Sequence, residues 1–167
     1  MATIIGLRLL LLGVWLGAAL FFSAVVAPSV FSVLRAHHVP NVGEIAGALV
    51  TRTLSVVNVS GFIISLVALA TMFAFRRGYA PRSFVLETLS LIILTLSTGV
   101  GHWMIAAKMR ALRAAMVLPI DQVPTDDPRR LAFNNLHSYS VTALSVAMIA
   151  ALIAFAVIAY RARIHTS

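Results

Sequence analysis

The chain has 167 residues, 60% hydrophobic and only 11% charged, with a mean hydropathy of +0.98 and a net charge of +8. A single soluble core of this size cannot hide so much apolar surface, so the composition excludes an ordinary soluble domain and reads as an integral membrane protein. With no cysteine, disulfides, iron-sulfur clusters and thiol nucleophiles are excluded. The basic residues punctuate apolar runs, a pattern that fits phosphate headgroups and membrane topology and not nucleic acid.

Cutting the chain at its charges leaves apolar runs at residues 9–34, 53–75, 83–107 and 138–160. Each covers a hydrocarbon core, which needs about 20 helical residues at about 1.5 Å apiece. The expected fold is all-α: one transmembrane domain over residues 1–167, an up-down-up-down four-helix bundle. In the first run AVVAPS imitates a secretory cleavage site, but the stretch is too long, Pro28 would follow the cut, and three further spans come after. Gly13 and Gly17 with Ala24 read as a packing seam, and Pro28 as the kink or end of the helix.

The first connector carries Arg35, His37, His38, Glu44 and Arg52. His37 and His38 are adjacent, would point to different faces of a helix, and read as wet-loop residues. Glu44, Thr51, Ser55 and Asn58 form one stripe if the second helix begins before the bilayer. The amide of Asn58 needs a partner in so apolar a setting. RRGYAPR, residues 76–82, reads as a tight basic turn with Gly78 and Pro81 as breakers. Glu87 follows it, within expected reach of water or Arg82. On the third run Thr95, Thr98, Gly99 and His102 form a second stripe, with His102 and Trp103 about 30 Å from Ser83.

The next connector holds Pro119, Pro124 and Pro128, and its Asp121, Asp126 and Asp127 are explained by capping and solvation. Asp127 reads as an N-cap with Pro128 at the first helical position. The fourth helix, from there to Arg161, would be about 50 Å long against a core of about 30 Å, and so extends beyond the membrane. Within it, FNNLHSYS gathers amide, imidazole and hydroxyl groups just before the last apolar run. Tyr139 and Tyr160, about 31 Å apart on a straight helix, suit two interfacial belts, and Ser138, Thr142 and Ser145 form a third stripe.

Topology places four of the five histidines on one side of the membrane. The candidate polar pocket on that side consists of His102, His137, Asn58, Ser138, Glu44 and Arg52. Neutral imidazoles there can accept a proton, hydrogen-bond an anionic or amide ligand, or bind a metal. The bland alternative is that the hydroxyls bond their own helix and the histidines are hydrated at the interface. No G-x-S-x-G, H-E-x-x-H or phosphate-cradling glycine loop is present, and no carboxylate pair is placed for hydrolysis.

The leading expectation is therefore a non-enzymatic membrane bundle whose pocket binds a partner, lipid or small molecule, with no cofactor. One alternative is a haem- or metal-binding redox protein with His102 and His137 as ligands; another is a small oligomeric transporter. The expected partners are the bilayer and a homo-oligomer or membrane protein, and not nucleic acid. Basic residues number six on one side and seven on the other. The compact RRGYAPR turn and the RAR tail favour cytoplasmic termini in a plasma (bacterial inner) membrane.

GVWLGAALFFSAVVAPSVFSVL, then EIAGALVTRTLSVVNVSG, KMRALR and FNNLHSYSV, together resemble the transmembrane-protein-205-like family of uncharacterised multipass proteins, in its bacterial branch. The resemblance covers most of the chain and implies a four-helix membrane protein. It makes Pro28, Phe31, Arg113, Phe133, His137 and Ser138 motif positions, and implies no substrate, cofactor or catalytic residue.

Overall fold

The computed structural model describes residues 2–75 and 80–164. Residues 76–79 of the RRGYAPR turn and residues 165–167 of the tail, which the orientation expectation uses in part, lie outside the described residues. The secondary structure described is entirely helical, and its four long helices are each long and apolar enough to cross a membrane.

Helix α1 runs through Ala2–Phe21, a π turn at Phe22–Val26, and Ala27–Ala36. Pro28 accounts for the wide turn: it has no N–H to give, and its ring would strike a carbonyl one turn back. The backbone accommodates it by having the Ala27 N–H reach back five residues to the Phe22 carbonyl. The helix ends in a Schellman motif, with His38 at φ 51° as the left-handed residue and the Val39 N–H donating to Leu34 O at 3.1 Å. Both histidines of the connector are exposed.

Helix α2, Val42–Ala74, follows a second left-handed residue, Asn41 at φ 54°, and has no side-chain cap of its own. Its cap comes from elsewhere in the sequence: the Gly43 and Glu44 N–H groups donate to the two carboxylate oxygens of Asp121 at 3.0 and 3.1 Å. Gly43 permits this approach, because a Cβ there would lie 2.5 Å from Asp121 Oδ1.

Helix α3 comprises Pro81–Gly99, a π turn at Val100–Ile105, and Ala106–Ala114. Helix α4, Pro128–Ile164, is unbroken over 37 residues. Asp127 begins it as expected, accepting the Arg129 N–H at 2.8 Å, and Arg129 Nη1 ties the first turn to Ala115 O at 2.8 Å.

Each helix buries a stripe at alternating three- and four-residue steps, the spacing of helices packed at shallow angles. On α1 it is Arg8, Leu12, Trp15, Ala19 and Phe22; on α4 it is Ser140, Leu144, Ala147, Ala151, Ala154 and Ile158. The alanines let α3 and α4 form the most extensive helix pair. The expected Gly13–Gly17–Ala24 seam is corrected here. Gly13 packs on Phe155, but a Cβ at Gly17 would meet nothing within 4 Å and Ala24 is exposed. Trp15 instead joins α1 to α2: its indole donates to Val57 O at 2.8 Å and lies against Gly61.

Large hydrophobic side chains, such as Leu10, Val56, Leu96 and Ile149, also face outward on all four helices. Only 22–33% of the most apolar stretch of each helix is buried, so much hydrophobic surface is left on the outside of the bundle, as suits helices able to cross a membrane.

Charge pairs fix the two ends. Glu87, fully buried, accepts from Arg8 and from Arg161 Nη1, the latter at 3.3 Å, and so joins the beginnings of α1 and α3 to the end of α4. The expected partners of Glu87, water or Arg82, are thereby replaced. At the other end Glu44 of α2 accepts from Arg113 Nε of α3 at 2.5 Å.

Candidate functional site

The polar side chains singled out in the sequence fall into two adjoining spaces at the Glu44 end. The outer one is a basin of about 790 Å³ between the beginning of α2, the end of α3 and the connector leading to α4. Glu44, Arg52, Arg110 and Arg113 supply its charge, with apolar walls from residues such as Met116, Ile120 and Phe133. Glu44 braces the basin: its Oε2 also accepts the Ile120 N–H at 3.3 Å, while Gln122 Nε2 donates to Asn41 Oδ1 at 2.9 Å. These bonds and the Asp121 cap hold the proline-rich connector against α2. Arg113, spent on Glu44 and on Met116 O at 3.2 Å, is a brace too. Arg52 and Arg110, both exposed, make no hydrogen bond or ion pair among the described residues.

The inner space is a cavity of about 260 Å³ reached by all four helices. The π turn and Pro28 of α1 form one wall, and Leu54, Asn58, His137, Ser140, Leu144 and Met148 contribute to the others. Thr51, Ser55 and Met109 line both spaces. The α2 stripe Glu44, Thr51, Ser55, Asn58 is thus one polar track, from the basin into the bundle.

Of the six expected pocket residues, Glu44 and Arg52 line the basin, and Asn58 and His137 the cavity. His102 borders neither lining. Its Nδ1 and Ser55 Oγ share a hydrogen bond at 3.2 Å, and its ring stands edge-on to Trp103 at 4.8 Å between centroids. Ser138 is exposed and donates to Asn134 O at 3.3 Å, an ordinary bond to its own helix. Thr142 and Ser145 do the same at 3.0 Å; of this α4 stripe Ser145 contributes to the cavity lining, and Ser138 and Thr142 do not. The α3 stripe instead meets α2, where Thr95 Oγ1 donates to Ser65 Oγ at 2.8 Å. Among the described residues no group of three or more His, Cys, Asp or Glu is placed to hold a metal ion.

Sequence reasoning passed over Ser140, Arg110 and Gly101. Ser140 had a signal, standing one turn beyond His137. Arg110 reads in the sequence only as a topology signal. Gly101 leaves room for Asn58: a Cβ on it would lie 3.1 Å from the Asn58 amide nitrogen.

These features define a class: a helical protein with four segments capable of crossing a membrane, and a polar basin and cavity at one end. More particularly, the chain belongs to an uncharacterised family, since residues 10–117 match the one described as "Domain of unknown function (DUF4149)". That match does not carry the transmembrane-protein-205-like name. Comparison with curated proteins and with solved structures gives no match.

Proposed function

We propose that this is an integral membrane protein, arranged up-down-up-down, that binds an anionic amphiphile in its basin. The transmembrane-protein-205-like resemblance is the finer placement that goes with this reading. The observation that carries it is the pairing of two uncommitted guanidiniums, Arg52 and Arg110, with apolar walls in a space of about 790 Å³. Guanidinium forks suit phosphate and carboxylate oxygens, and each charge-assisted bond is worth about 1.5–3 kcal/mol.

Depth supports the same ligand. The basin's charged residues precede or follow the apolar runs 53–75 and 83–107, which places them at headgroup level, while the walls continue inward. Basic residues in the RAR tail favour cytoplasmic termini in a plasma (bacterial inner) membrane, which puts the basin on the opposite face. A reporter fused after Ser167 tests this; activity only with a periplasm-dependent reporter reverses it.

Native mass spectrometry of protein released from mixed lipid discs tests the ligand. Phosphatidylglycerol, or oleate if the head is a carboxylate, should be retained over phosphatidylcholine, and Arg52→Gln/Arg110→Gln should weaken retention by about tenfold or more. Equal retention of all three, or no effect of the double substitution, rejects the proposal.

A further inference from the structure

Independently of the basin, we propose that the inner cavity binds an uncharged, ring-sized molecule whose carbonyl oxygen accepts hydrogen bonds from Asn58 and Ser140. The two side chains are 4% and 6% exposed, on different helices, and both line the same cavity. Neither makes a hydrogen bond among the described residues. This is unusual for its surroundings. Ser138, Thr142 and Ser145, on the same helix, all return their hydroxyls to the carbonyl four residues back; Ser140 has the same option and does not use it. The side-chain polar atoms of both are open to the cavity and not sealed within the protein, so they are available to a partner that the chain does not supply, in surroundings apolar enough to strengthen the bond.

The lining sets the chemistry of that partner. No Arg, Lys, Asp or Glu borders the cavity, His137 is the ionisable residue in its lining, and Phe22, Leu54, Leu144 and Met148 make its walls apolar, so a charged ligand would be desolvated with little compensation. Asn58 offers an N–H and Ser140 an O–H, and a carbonyl oxygen can accept from both. The volume, about 260 Å³, lies at the small end for ligand sites and suits a fused bicyclic ring better than a lipid tail. Gly101 keeps α3 from displacing the Asn58 amide, and the π turn of α1 shapes the facing wall.

Menadione and 2-methylnaphthalene make a matched pair of probes, the same methylated fused ring with and without two carbonyls, and the absence of cysteine removes thiol addition to the quinone. Retention of each by full-length protein in lipid nanodiscs is measured by equilibrium dialysis, with empty nanodiscs subtracted. We expect about one equivalent of menadione per chain, bound about tenfold tighter than the hydrocarbon, a difference that one buried hydrogen bond supplies. Asn58→Leu should erase the preference and Ser140→Ala should weaken it, with helical circular dichroism unchanged. If Asn58→Leu does not fold, Ser140→Ala, which removes only a hydroxyl, carries the test. Equal binding of the two probes, a preference that survives substitution, or no retention above empty nanodiscs overturns the proposal. None of these outcomes bears on Arg52 or Arg110.

Discussion

Replacing Glu87 by alanine removes the one carboxylate that Arg8 and Arg161 share, and leaves two guanidiniums inside the bundle. Glu87 is 0% exposed, and the Arg8 and Arg161 side chains 4% and 11%, so solvent screening gives little relief. Truncating one member of such a buried group costs about 3–5 kcal/mol, roughly two to four powers of ten in the folding equilibrium. The same substitution at an exposed pair costs about 0–1 kcal/mol. Reversible unfolding in mixed micelles, followed by helical circular dichroism, measures the difference. The triple variant Arg8→Met, Glu87→Leu, Arg161→Met should recover most of the loss, because apolar side chains of similar volume dispense with the desolvation cost as well as the attraction. A Glu87→Ala protein within about 1 kcal/mol of the parent refutes the reasoning, because the cluster would then behave as a solvated one.

Gly61→Ala would place a Cβ 2.7 Å from the indole of Trp15, a rigid ring already held by its bond to Val57, and should destabilise by about 1–3 kcal/mol in the same assay. Asp121→Ala removes the distant cap of α2, so amide exchange should accelerate at Gly43 and Glu44 and along residues 117–123; unchanged rates would count against the long-range cap. The side-chain hydrogen bond from Arg129 holds the Asp127 carboxyl below its ordinary 3.8. A depressed folded pKa gives stability that is present above the unfolded value and lost as pH falls through the folded one, so the first turn of α4 should loosen only on acidification below the ordinary carboxylate range. Exchange at residues 129–131, corrected for intrinsic rates, should show that loss, and Asp127→Ala should abolish its pH dependence.

Features that depend on local chemistry and composition were legible in the chain alone. Apolar length set the number of helices, Asp127 and Pro128 marked the beginning of α4, and the α2 stripe from Glu44 to Asn58 follows from helical periodicity alone. The rest depends on how the helices turn about their own axes. On α3 the buried residues Leu94, Thr98, Gly101, Ile105 and Met109 keep three- and four-residue steps through the π turn, but which neighbour each part of that face meets is set by how the packed helices are rotated against one another. His102 thus pairs with Ser55 on α2, whereas His137 borders the cavity directly. Asp121 and Gly43 are separated by 78 residues, and Arg8 and Glu87 by 79. A carboxylate in a proline-rich connector or at the start of an apolar run carries no mark of so distant a partner, because its choice follows from where packed helices bring their ends together.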